Sequence, residues 1–342
     1  MRSRTTFEVT MTKTLTNSEI LAVFRKLRVK HPRLDIVTEV CDDLRATITD
    51  DEPKQFGTLF APSHVGKSTA VKNYQEKVAV PEAISRGLVP ADLPLDEQVR
   101  LQKLVVHVTL EGGATPRSLC ADILAALGDP RSARGSKNLM LRRVYDLLST
   151  LGVELLVIDE IQHLAVSKHR MSEDADLRSI ERSRTSEVTD TLKAMLIRGV
   201  VPMLFVGIEE ARPYLLDDIQ LALRCHEEID FGELSWEDTQ ERQVFQDFVG
   251  RLGIHLAKEG LFPQRADFLN ADIPAALHEA SLGRLGIACR IVAKACMHAA
   301  KAKADTVTRE HLSKAVDTFA IPRGIVKTNP FKRGGDARLV AA

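Results

Sequence analysis

Two hydrophobic rhythms share the first two thirds of the chain, and one of them then takes over. Short apolar runs at 57–61, 104–110, 155–160 and 203–207 have strand length. The second run is β-branched and alternating, and the third and fourth are nearly continuous, as expected of parallel strands covered on both faces. Between them the spacing turns helical. Leu34, Val37, Val40, Cys41 and Leu44 fall on one face over 34–46. Further helices are expected at 17–30, 69–77, 115–127, 139–151 and 188–198. Thr16 and Glu19 stand at capping-box spacing before the first of these, and His31-Pro32 ends it. Pro116 sits just inside another helix start. Residues 78–99, rich in Pro and acid, read as irregular. From Trp236 the strand signal fades, and helices are expected at 236–252, 273–281, 286–302 and 308–319.

Alternating β and α elements imply an α/β fold, a parallel sheet flanked by helices, here followed by a C-terminal helical lid. The expected divisions are an N-terminal helical segment (1–50), a nucleotide-binding α/β domain (51–232) and a helical lid domain (233–319). A flexible basic tail (320–342) carries Arg323, Lys327, Lys332, Arg333 and Arg338. Within the α/β domain, about 168–187 reads as a charged insertion.

The site chemistry begins after the first strand. Ala61-Pro62-Ser63-His64-Val65-Gly66-Lys67-Ser68-Thr69 follows an apolar run and opens a helix, the pattern of a phosphate-binding loop. Backbone N–H groups there wrap nucleotide phosphates at a helix N-terminus. Lys67 is expected to reach the β- and γ-phosphates, and Ser68 to hold Mg²⁺. Ala61 occupies the position where the pattern has its first Gly. About ninety residues on, the run 155–158 ends in Asp159-Glu160. Asp159 is expected to bind Mg²⁺, and Glu160 to polarise the attacking water. Together these motifs predict binding of ATP or GTP.

The chain is 342 residues long, with 47 Lys and Arg against 47 Asp and Glu, a formal net charge of zero. A uniformly basic surface is thereby excluded, but a local basic stripe for nucleic acid is not. No apolar run approaches membrane-spanning length, and residues 1–14 do not resemble a signal peptide. Cys41, Cys120, Cys225, Cys289 and Cys296 lack metal or disulfide spacing. These features favour a reduced, cytoplasmic protein that makes no membrane contact.

Several blocks, in order, carry a family resemblance. They are His31-Pro32-Arg33, the loop 61–68, Thr115-Pro116, and Leu127-Gly128-Asp129-Pro130. Next come Ile158-Asp159-Glu160-Ile161-Gln162-His163-Leu164, Leu192-Lys193 and Val201-Pro202. Val206-Gly207-Ile208-Glu209-Glu210-Ala211 and Asp218-Ile219-Gln220-Leu221-Ala222-Leu223-Arg224 follow, then Leu234-Ser235-Trp236 and Gly283-Arg284-Leu285-Gly286. Over about residues 30–315 the chain resembles AAA+ P-loop ATPases of the TniB, TnsC and MuB transposition-regulator group, most closely TniB.

That resemblance implies an ATPase using ATP and Mg²⁺, assembled as a homo-oligomer in a ring or helical filament. It would form on duplex DNA without sequence preference and present that target to a transposase, with a target-selection protein as a further partner. Arg224 would be the arginine finger reaching a neighbour's ATP, and Arg284 or Arg290 the second sensor. Lys103, Arg117, Arg131, Arg134 and Lys137 are candidate DNA contacts. Ile208 departs from the group at the first-sensor position, commonly Thr, Ser or Asn, which predicts slow hydrolysis. The charged insertion is also longer than the group's pattern.

Two other functions fit part of the pattern. A secretion- or initiator-like AAA+ protein shares several blocks, although an initiator is expected to carry a winged-helix domain for which the chain leaves no room beyond its last lid helix. A nucleotide-gated scaffold that hardly hydrolyses ATP would suit Ile208.

Overall fold

A computed structural model describes residues 15–49, 53–164 and 187–333. The expected insertion, apart from Glu187, lies outside these residues, as do Arg338 and the chain start. The chain divides into two compact units, His31–Gly232, and Met1–Lys30 with Glu233–Ala342. The expected segment 1–50 is therefore split. Its first helix, α1 (Asn17–Lys26), shares a core with the C-terminal helices, whereas α2 (Pro32–Ala46) packs on the sheet.

The larger unit is built on five parallel strands: β1 (Phe56–Phe60), β2 (Val105–Thr109), β3 (Leu155–Asp159), β4 (Met203–Gly207) and β5 (Cys225–Glu228). Their order across the sheet is β2-β3-β4-β1-β5. Strand pleating sends alternate side chains to opposite faces. Val106, Val108, Leu156, Ile158, Met203 and Phe205 face one core, with α6 (Pro116–Leu127) and α7 (Lys137–Thr150). A helix over 187–197, α8, contributes Val188, Leu192 and Leu196 to that core. Leu59, Val105, Leu155, Val157, Leu204 and Val206 face the other core, against α2 and α3 (Lys67–Tyr74).

Two expectations about this unit need correction, and one strand was not expected. The helix after the phosphate loop does not end near Lys77. It passes through one π turn (Gln75–Ala79) into α4 (Val80–Ser85), because Pro81 falls in the first turn of α4, where its missing N–H costs little. A further helix, α5 (Leu95–Leu101), lies in the stretch expected to be irregular. β5 has no counterpart in the hydrophobic pattern, since Cys225-His226-Glu227-Glu228 is a polar edge strand.

Arg45, only 8% exposed, joins helix and sheet on one flank. Its guanidinium donates to Glu154, Glu82 and the Tyr74 hydroxyl, so the end of α2 is tied to the approach to β3.

The second unit is helical, with α11 (Thr239–Lys258), α12 (Ile273–Ser281), α13 (Leu285–Lys301) and α14 (Arg309–Ala315), the last running on through a π turn to Ala320. Short helices α9 (Arg212–Leu216) and α10 (Ile219–Ala222) precede β5 in the larger unit. The described part of the expected flexible tail is packed. Phe331 is buried, its C=O accepts from Arg309 at 2.7 Å, and Lys332 and Arg333 pair with Asp317 and Glu279. An apolar anchor outweighs the solvated charges around it.

Candidate nucleotide-binding site

β1 ends at Phe60, and the loop from Ala61 to Gly66 turns the chain into α3. His64 (φ +66°) and Gly66 (φ +118°) make the turn in left-handed backbone, which at Gly66 only glycine adopts without strain. Val65 is buried and pins the loop, leaving Ser63, His64 and Thr69 exposed and Pro62 partly so. Ala61 is fully buried, and its N–H donates to Gly207 O at 3.1 Å. Its φ is not positive, so the methyl group replacing the expected glycine hydrogen meets no backbone constraint. Lys67 Nζ folds back over the loop, donating to Ala61 O at 2.6 Å and Pro62 O at 2.9 Å.

Asp159 closes the site from β3. It shares a sheet face with Leu155 and Val157, the face that carries α3, and so meets Ser68, whose Oγ donates to Asp159 Oδ2 at 2.7 Å. His107, opposite Val157 on β2, is a diagonal neighbour and places Nε2 3.2 Å from the same oxygen. Burial pushes the Asp159 carboxyl upward, but hydrogen bonds from His107 and Ser68 outweigh it and hold the group below the ordinary carboxylate value. A hydroxyl and an ionised carboxylate within hydrogen-bonding distance are hard oxygen donors, the set Mg²⁺ takes alongside phosphate oxygens and water.

Glu160 is turned out of the strand by a left-handed backbone (φ +60°). Its carboxylate accepts a hydrogen bond from Gln162 Nε2, and Gln162 Oε1 accepts the Ile208 N–H at 3.3 Å. Gln162 belongs to a 3-10 turn, Ile161–Leu164, that fits against the end of β4 because residue 207 is glycine. A Cβ on Gly207 would stand 2.6 Å from Ile161 Cγ2 and 2.9 Å from Gln162 Oε1. Ile208, at the position expected to be the first sensor, thus makes a polar contact through its backbone N–H with the side chain of Gln162. The sequence singled out neither Gln162 nor His107. The register of β2 against β3 was the missing information for His107, and the 3-10 turn for Gln162.

His31 and Phe231 flank the loop. Their rings meet edge to face at 6.0 Å, and Phe231 lies 3.7 Å from where a Cβ on Gly66 would be. Arg33 donates to the Gly232 carbonyl. Burial, then Arg33, lowers the His31 pKa to about 4.

Arg224 lies at the other edge of the sheet. Its C=O accepts the Phe56 N–H at 3.1 Å, at the start of β1, whereas the phosphate loop follows the strand's end. Roughly 13 Å of strand separates the two edges. Arg224 Nε is buried with no hydrogen-bond partner among the described residues. Of the second-sensor candidates, Arg284 pairs with Glu233, and Arg290 is exposed on α13.

Four of the five candidate DNA cations cluster. Arg117 at the start of α6 donates to Ala133 O. Arg131 and Arg134 in the α6–α7 connection, and Lys137 at the start of α7, are exposed beside it, and Arg143 donates to the carbonyls of Arg131 and Arg134. Lys103 does not join them. It donates to Arg100 O and Ala126 O at the far end of α6, about 14 Å along the helix from Arg117. Burial and Arg100 lower its pKa.

Residues 50–215 match a family model described as an AAA domain. No curated protein matches the sequence. Among solved structures, the chain is similar to the Aeropyrum pernix ORC2 protein in its ADPNP–ADP complexes, at 15% identity and a TM-score of 0.55, covering 86% of this chain and 70% of that one. It is also similar to the Aeropyrum pernix ORC1 protein in complex with DNA (18%, 0.55, 86% and 68%). A third is CDC6p from Pyrobaculum aerophilum (16%, 0.52, 86% and 69%). The likeness at these identities is one of fold, an AAA+ domain followed by a helical C-terminal region. No helix among the described residues is long and apolar enough to cross a membrane.

Proposed function

We propose that this protein is an ATP-dependent, duplex-DNA-binding regulator of transposition that acts in the cytoplasm as a head-to-tail oligomer or filament. The observation that carries this reading is the separation of Arg224 from its own phosphate loop along β1. A subunit whose finger residue is rooted at the opposite end of β1 needs a neighbour to complete its site, and a heterologous contact that does not close builds a filament.

Within each site, loop N–H groups and the positive end of α3 bind phosphate oxygens. Lys67 exchanges its loop carbonyls for the β- and γ-phosphates, and Ser68 and Asp159 hold Mg²⁺. Held there by Ser68 and Asp159, Mg²⁺ would supply positive charge to offset that of the phosphates. Glu160 orients the attacking water, and the neighbour's Arg224 stabilises charge on the transferred phosphoryl group. Arg284 or Arg290 serves as second sensor. Arg117, Arg131, Arg134 and Lys137 contact the DNA backbone without reading sequence. The assembled protein presents that target to a transposase, and hydrolysis drives disassembly.

Electron microscopy of the purified protein with ATP, ADP or a non-hydrolysable analogue, with and without duplex DNA, tests this. Filaments or stacked rings on DNA with ATP or the analogue are expected. Monomers on DNA in every nucleotide state would remove the mechanism.

A second reading, an initiator-like ATPase, is favoured by the fold likeness to ORC1 in complex with DNA. It requires binding to a preferred sequence, so competition between unrelated duplexes separates the two.

A further inference from the structure

The helical unit holds a cavity of about 580 Å³ walled by cations. Lys294, His298 and Lys301 are spaced i, i+4, i+7 and so form one stripe on α13. Lys314 on α14 and Lys303 in the connecting turn complete the wall, and Leu15 and Met297 supply apolar lining.

None of these four lysine ammonium groups has an ion-pair or hydrogen-bond partner among the described residues, while nearby Asp317 is occupied by Lys332. The ring at the centre reports the local field. Burial and then Lys294, Lys314, His311 and Lys301 lower the His298 pKa.

Two features go beyond ordinary surface decoration. A favourable helix dipole accounts for Lys301 in the last turn of α13, but not for Lys294 two turns earlier. Lys303 occupies a left-handed position (φ +53°) just past the helix, where glycine is the usual residue and a side chain costs roughly 1 kcal/mol. In a chain of zero net charge, four unpaired ammonium groups around one concavity repel each other until an anion enters.

We propose that this pocket is a second binding site for the phosphate backbone of nucleic acid, separate from the Arg117–Lys137 cluster. Its ligand class follows from its donors. Ammonium groups act as compact point charges toward phosphates, whereas carboxylate recognition favours the planar fork of Arg, and no Arg lines the pocket. The proposal rests on the DNA-binding reading above.

The test is a salt titration of full-length protein, loaded with a non-hydrolysable ATP analogue, against a labelled duplex. Wild type is compared with the triple variant Lys294→Gln/Lys301→Gln/Lys314→Gln and its Lys→Arg counterpart. Each lost phosphate contact should flatten the slope of log K against log salt by about 0.9. The Gln variant is expected to lose two to three such contacts (roughly, from its three cations), and the Arg variant to keep the wild-type slope. ATP-analogue affinity is expected to stay unchanged in both, which shows that the variants fold. An unchanged slope in the Gln variant, with wild type binding DNA, overturns this pocket alone. Failure of wild type to bind DNA in any nucleotide state overturns both this proposal and the DNA-binding reading. Binding of polyglutamate but not duplex would assign the pocket to an acidic peptide and also overturn the proposal.

Discussion

Gln162 donates its side-chain N–H to the Glu160 carboxylate and accepts the backbone N–H of Ile208 through its own oxygen. One amide thus links the residue expected to orient water with the end of β4, where a polar first-sensor side chain was expected and this chain has Ile. Gln162→Ala is expected to leave ATP affinity unchanged and to lower kcat by about tenfold, or ~1.4 kcal/mol of barrier. Adding Ile208→Asn to that variant should restore part of the loss. Equal loss of ATP affinity and turnover in the single variant would mean that Gln162 only supports the fold.

Gly207 keeps that link in register. With a Cβ only 2.6 Å from Ile161 Cγ2, Gly207→Ala must push the 3-10 turn away from β4. Overpacking of this kind costs about 1–3 kcal/mol. Thermal melting should fall accordingly, and turnover should fall further than ATP affinity. An unchanged melting temperature would show that the turn yields without cost.

His31 gives the fold an acid sensitivity. Its folded pKa of about 4 lies below the ordinary 6.5, so between those values the unfolded chain binds a proton that the folded chain does not. Stability therefore falls as pH drops from about 6.5 to about 4, by at most about 3 kcal/mol. His31→Asn, which places a favourable N-cap residue before α2, should flatten that part of the stability curve. Denaturant titrations at pH 7.5, 6 and 5 (about these values) read it directly. A variant with the wild-type pH dependence would assign the acid sensitivity elsewhere.

What the sequence disclosed followed the strength of local constraint. The phosphate loop and Asp159-Glu160 were legible because the chemistry demands those residue types at a strand end and a helix start. β4 was legible because Met203–Gly207 is wholly buried. β5 was not, since its edge position leaves Cys225–Glu228 polar. α4 was hidden by Pro81, which signals a break but here sits in a first turn. His107 and Gln162 depend on a cross-strand diagonal and on a turn packed against glycine, relationships that exist only after the sheet has formed. The packed segment ending at Phe331 was hidden by the basic residues around its single anchoring ring.

One subunit's Arg224 is expected to complete another subunit's site. Arg224→Ala keeps Glu160 but supplies no finger, and Glu160→Gln keeps the finger but has no catalytic carboxylate. Each alone should be nearly inactive. Mixed in equal amounts, roughly a quarter of head-to-tail interfaces pair an intact site with an intact finger. ATPase assays of the mixture on duplex DNA should recover about that fraction of wild-type turnover. A mixture no more active than its separate components, with both variants still binding ATP, would show that Arg224 does not act across the subunit interface.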